Sequence, residues 1–72
     1  MKKINKIKIK LNGKYIKIHD KITLINLIKK FKVPINKVAI ELNRRIVNKK
    51  SLGKIKIKKN DKIEIVHFIG GG

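Results

Sequence analysis

Apolar residues recur along this chain in two different periods, and the change of period marks its elements. Ile7, Ile9 and Leu11 alternate with Lys8 and Lys10, and Ile16 and Ile18 alternate with Lys17. Period-two alternation describes strands with one face covered. Between the two runs stands Asn12-Gly13. Both residues tolerate positive φ, so this dipeptide closes a two-residue turn whose twist matches the flanking strands, and the spacing predicts a hairpin. From Thr23 the period lengthens: Leu24, Leu27, Ile28 and Phe31 fall on one side of a helix, with Asn26, Lys29, Lys30 and Lys32 on the other. Thr23 supplies an N-cap oxygen, the lysines suit the negative end of the helix dipole, and Pro34 bars continuation beyond Val33.

A third apolar run, Val38-Ala39-Ile40-Glu41-Leu42, is short and rich in β-branched residues. Asn43-Arg44-Arg45 then turns the chain into a short return strand at Ile46-Val47. Ile55 and Ile57 alternate with lysines as far as Lys59-Asn60-Asp61, and a last strand carries Ile63, Ile65 and Val66 to Phe68. Alternation points Ile63 and Ile65 at the helix, which leaves Glu64, Val66 and Phe68 on the opposite face. Hairpin, single helix and returning strands predict an α+β fold with one main helix packed on one face of the sheet. No internal repeat, linker or second domain is visible. Residues 1–69 read as one domain and 70–72 as a flexible glycine tail.

With 72 residues, a domain buries only about 60% of the surface its unfolded chain exposes, which leaves no room for a deep private active site. The aliphatic supply, dominated by Ile, suits a compact core, and its regular recurrence separates the chain from disordered, highly charged sequences. There is no Cys, hence no disulfide framework, thiolate metal site or thiol nucleophile. Met1–Lys10 is basic but lacks the apolar segment of a secretory signal, and no apolar run approaches the ~20 residues that span a bilayer. The expected location is the cytoplasm, without a membrane partner.

A formal charge of +17 invites a nucleic-acid reading, since clustered Lys and Arg displace counterions from phosphate. The cations argue against specific recognition. They are almost all Lys, spread over the polar positions of every element, with Arg44 and Arg45 the sole guanidinium groups. Tyr15, Phe31 and Phe68 lack the spacing with which RNA-binding sheets stack bases. His19 and His67 are too few for a metal site. Asp20, Glu41, Asp61 and Glu64 show no pairing for acid–base catalysis and read as turn and surface residues. The chain is not expected to be an enzyme by itself.

Ile69 is followed by Gly70-Gly71-Gly72. Glycine has no Cβ to strike the walls of a narrow channel or to shield a carbonyl, so three in succession suit insertion into a partner enzyme. A carboxylate acylates poorly until it is converted to an acyl adenylate, and that requires an ATP-dependent partner. The competing reading of such a run is a frayed terminus; its position directly behind an apolar strand favours function.

The stretch VAIELNRRIVNKK, with NDKIEIVHFIGGG behind it, resembles the ThiS family of thiamine-pathway sulfur carriers over nearly the whole chain. The resemblance implies a ubiquitin-like β-grasp fold: a mixed sheet of four to five strands in which the first and last strands pair in parallel. It implies that Gly72 is the attachment point, its carboxyl adenylated and then converted to a thiocarboxylate. Gly70 and Gly71 would thread the partner's channel, and Val66 and Phe68 become the candidate docking surface. The implied partners are a ThiF-like E1-type adenylyltransferase that uses ATP and Mg, a cysteine desulfurase persulfide as sulfur source, and thiazole synthase as acceptor. No cofactor is bound permanently. Three features depart from the family's usual pattern: Lys59-Asn60-Asp61 in place of Asp-Gly-Asp, Ser51-Leu52 where an aromatic residue is common, and the abundance of lysine. The alternatives are a carrier like the small subunit of molybdopterin synthase and, from another class, a basic RNA-associated β-grasp module.

Overall fold

The computed structural model describes residues 5–68. The first strands, β1 (Lys6–Leu11) and β2 (Lys14–His19), form the antiparallel hairpin. Asn12 and Gly13 both take positive φ, 48° and 83°, at the turn between them. The main helix, α1 (Leu24–Lys30), is capped at Thr23, whose Oγ1 accepts from the Asn26 N–H while the Asn26 side chain accepts from the Thr23 N–H. This reciprocal box satisfies two donors that the first turn leaves without partners.

A 3₁₀ turn at Ile35–Lys37 leads into β3 (Val38–Leu42), which pairs with the two-residue β4 (Arg45–Ile46). A 3₁₀ helix at Lys49–Lys54 follows, and then β5 (Lys62–His67). The five strands lie in the order β2-β1-β5-β3-β4. β1 and β5 are parallel, and β5 and β3 are antiparallel. A parallel pair requires a long crossover, here the segment that carries the second strand, the helix and β3–β4. The last strand is thereby placed at the centre of the sheet, as the resemblance implied.

The core lies between α1 and one face of the sheet. Leu24, Leu27 and Ile28 of the helix meet Ile9, Ile18, Val38, Ile40 and Ile63 of the sheet, with Leu52 and Ile57 closing the side, all of them buried. Full burial of an aliphatic side chain stabilises by roughly 1.5–3 kcal/mol, so this cluster is the principal source of stability in so short a chain.

Two local expectations are corrected. The spacing sets Phe31 on the apolar side of the helix with Leu24, Leu27 and Ile28, yet it is 47% exposed. The helix ends a turn earlier than Pro34 requires. The Val33 N–H donates to the Ile28 carbonyl and the Lys32 N–H to the Lys29 carbonyl, with Lys32 at φ 54°. That is a Schellman ending, and it turns the chain away before Phe31 can pack. The alternating segment at Ile55–Ile57 forms only an isolated bridge between Thr23 and Lys56. Its backbone is taken up by the helix entry, through the Leu24 N–H to the Ile55 carbonyl and the Ile57 N–H to the Ile22 carbonyl.

Candidate functional site

The sheet has a face that α1 does not cover, and the end of β5 lies on it. Ile63 is buried and Ile65 half-buried toward the core, whereas Glu64 and Val66 are exposed. Opposite Val66 stands Ala39, and opposite Ile65 stands Ile40. Past the strand, the Phe68 N–H donates to the Lys37 carbonyl at 2.9 Å and extends the β3–β5 ladder by one residue. Alternation therefore carries Phe68 to the same face as Val66. Val66 is 49% and Phe68 55% exposed. Phe68 is not beneath the helix, the placement that would have removed it as a docking residue. Gly70, Gly71 and Gly72 lie outside the described residues.

Two further residues bear on this face without a signal in the sequence. Ile46 is 77% exposed and stands opposite Glu41 on the open face. Its place follows from the register of the β3–β4 pair, which the sequence leaves open because the turn can be drawn with two residues or three. Lys49 sets its Nζ 5.3 Å from the centroid of the Phe68 ring, within the range of a cation–π contact. No spacing signal connects residues so far apart.

The other half of the open face is basic. Lys8 and Lys17 are direct cross-strand partners, as are Lys10 and Tyr15, and Lys10 also neighbours Lys62 of β5. The Nζ atoms of Lys8 and Lys10 lie 5.0 and 5.3 Å from the Tyr15 ring centroid.

Elsewhere the described residues offer little chemistry. A shallow groove of about 490 Å³, lined by Leu42, Asn43, Lys54, Ile55, Lys56, Lys58 and Asp61, sits at the opposite end of β5 from Phe68. Its one carboxylate is already committed, since Asp61 accepts from the Asn43 side chain at 3.0 Å and from the Lys58 N–H at 2.7 Å. Among the described residues no group of three or more His, Cys, Asp or Glu is placed to hold a metal ion. No helix among them is long and apolar enough to cross a membrane. What the geometry provides is an exposed apolar patch, Val66 and Phe68, at the end of a central strand.

Comparison with known proteins bears on what is presented. The model of the ThiS family matches residues 4–72. The chain is 35% identical over 65 residues to the sulfur carrier protein ThiS of Bacillus subtilis, covering 89% of this chain and 98% of that one. It is 38% identical over 66 residues to a thiazole synthase of Magnetococcus marinus, covering 92% of this chain but only 20% of that protein, so it spans about one fifth of that relative's length. Among solved structures, the thiamine biosynthesis protein ThiS of Geobacter metallireducens superposes with a TM-score of 0.82 at 25% identity, over 92% of this chain and the whole of the other.

Proposed function

The chain belongs to the ThiS family, and from that premise we propose that it is a sulfur carrier of thiamine biosynthesis whose working group is the carboxyl of Gly72. The observation that carries this reading is that the family match runs through residue 72, so the three glycines lie within the shared pattern. The fold supports it. β5 holds the centre of the sheet by hydrogen bonds on both sides, which gives the residues after Phe68 a rigid point of departure.

In the proposed sequence, the Gly72 carboxylate attacks the α-phosphorus of Mg-ATP on a ThiF-like adenylyltransferase and displaces pyrophosphate. The resulting acyl adenylate exchanges a poor leaving group for AMP. The terminal sulfur of a persulfide, derived from a cysteine desulfurase, attacks the acyl carbon and AMP departs. A thiol then cleaves the acyl disulfide, becoming oxidised to a disulfide with the donor sulfur and releasing the thiocarboxylate. Thiazole synthase is the acceptor, a pairing favoured by the likeness of this chain to one fifth of a thiazole synthase. Val66 and Phe68 dock against these partners while Gly70 and Gly71 thread their channels. The chain acts in the cytoplasm as a protein co-substrate and leaves catalysis to the enzymes it visits.

The test is direct. Incubated with the adenylyltransferase, Mg-ATP and a persulfide donor, the protein gains the mass difference of sulfur replacing one oxygen, and fragmentation locates the change to Gly72. Absence of that change with an enzyme verified as active overturns the proposal.

A further inference from the structure

Charge on the open face of the sheet is grouped, with lysines across β1, β2 and the start of β5 and two glutamates side by side on β3 and β5. Three pairs of like charges occupy neighbouring positions there: Lys8 beside Lys17, Lys10 beside Lys62, and Glu41 beside Glu64. Like charges directly opposite each other on a sheet are destabilising, and opposite charges would stabilise. The chain has only four acidic residues against 21 basic ones, yet two of the four stand side by side. Neither carboxylate has a lysine as its cross-strand partner on the β3–β5 ladder. Lys62, two residues before Glu64 on the same face of β5, is the cation beside this pair along the strand. The opposite-charge partner that each carboxylate lacks directly across the ladder is available from an incoming surface.

We propose that the open face docks a protein whose contact surface is acidic opposite β1 and β2 and carries a basic side chain that enters between Glu41 and Glu64. This rests on the docking role given to Val66 and Phe68 above, and it supplies the charge pattern of the partner. The two halves together select the occupant. A nucleic-acid backbone would satisfy the lysines but would bring phosphates against the carboxylate pair and against exposed Val66 and Ile46. A protein surface can supply anions, an apolar centre and a cation at separate points, which is how electrostatic complementarity fixes orientation and speeds encounter. The cation brought to Glu41 and Glu64 also relieves a repulsion that the free chain carries.

The experiment measures association of the full-length chain with the adenylyltransferase of the same genome, at low salt and at about 0.5 M salt, where the screening length falls to a few ångströms. Combined Lys8→Glu and Lys10→Glu substitutions slow association about tenfold at low salt, and the difference closes at high salt. Glu64→Lys is the diagnostic variant. It places a cation opposite Glu41 and so raises the thermal midpoint of the free chain, while weakening its binding to the enzyme. The same substitution strengthens binding to a poly-uridine RNA probe, so the two kinds of partner give opposite signs. The proposal is overturned if Glu64→Lys binds the enzyme as tightly as the parent chain or more tightly, or if the lysine substitutions leave the association rate unchanged. Should the parent chain gain the sulfur mass while both variants associate normally, the charge pattern alone fails. Should it neither bind nor gain the mass, the carrier reading fails and this one with it.

Discussion

The side-chain carbonyl of Asn12 accepts a hydrogen bond from the main-chain N–H of Ile65 at 2.7 Å, across 53 residues of sequence. In an unbroken parallel ladder that N–H would reach the main-chain carbonyl of Asn12, but the chain is already turning there at φ 48°. The side chain stands in for the backbone and extends the β1–β5 pairing past its last regular bond, from the Asn12 N–H to the Ile63 carbonyl. Asn12→Gly keeps the turn and removes the acceptor, with an expected cost of about 1 kcal/mol in urea unfolding. Asn12→Ala loses both and is expected to cost about 2 kcal/mol, because a Cβ residue without a polar side chain also disfavours the left-handed turn. Equal midpoints for the two variants would refute this division.

Asn43 and Asp61 form the corresponding tie on the other side of β5. Asn43 donates to Asp61 at 3.0 Å and accepts from the Lys62 N–H at 2.8 Å, while Asp61 holds the Lys58 N–H at 2.7 Å. The network joins the β3–β4 turn to the approach of the central strand. Asp61→Ala and Asn43→Ala are each expected to cost about 1–2 kcal/mol. Because they share partners, the double variant should be less destabilised than their sum, which a double-mutant cycle by denaturant unfolding measures.

Lys32 and Arg44 hold positive φ, 54° and 72°, in places where glycine is ordinarily used: the position after a helix C-cap and the second position of a tight hairpin turn. Relief of the left-handed cost outweighs the entropy that glycine adds to the unfolded chain. Lys32→Gly and Arg44→Gly are each expected to stabilise by about 0.5 kcal/mol, read as a higher urea midpoint at unchanged slope.

How much of this was legible in the sequence depended on whether a feature was local. The hairpin follows from Asn12-Gly13 between two alternating runs, and the helix from Thr23 and the spacing of Leu24, Leu27 and Ile28; these signals lie within a few residues of what they specify. The early end of α1 is hidden because Lys32 at a glycine position gives no sequence signal, so the spacing alone groups Phe31 with Leu24, Leu27 and Ile28. Parallel pairing of β1 with β5 came from family resemblance, since no local pattern encodes which distant strand becomes a neighbour. The sorting of charge on the open face needs the register of β1 on β2 and of β3 on β5, and in the sequence those lysines and glutamates are simply the polar half of the alternation.

Phe68 separates docking from folding. The residue is 55% exposed, with the Lys49 Nζ over its ring, so Phe68→Ala removes little buried area from the free chain and is expected to cost under about 0.5 kcal/mol. A central aromatic residue of an interface, by contrast, is often worth about 2 kcal/mol or more on truncation. Titration calorimetry against the adenylyltransferase should show the larger loss, and thermal unfolding the smaller. The reverse ordering would assign Phe68 to the core and remove it from the docking surface.

Gly71→Val tests the chemistry assigned to the tail. A β-branched side chain restricts the backbone and occupies the space that a narrow channel leaves for glycine, and both effects act where the Gly72 carboxyl must be aligned with the α-phosphorus of ATP. Misplacement of a reacting group by about 1 Å costs on the order of a hundredfold in rate, so adenylate formation, followed by pyrophosphate release, should fall by about that factor. Binding to the enzyme should fall far less, because the face carrying Val66 and Phe68 is unchanged. Unfolding should be unaffected, since the core is built from residues 9 to 63. Deleting Gly72 is a weaker test, because Gly71 then offers another glycine carboxyl one residue short. If Gly71→Val forms adenylate and thiocarboxylate at the parent rate, the glycines do not thread a channel and Gly72 is not the reacting end.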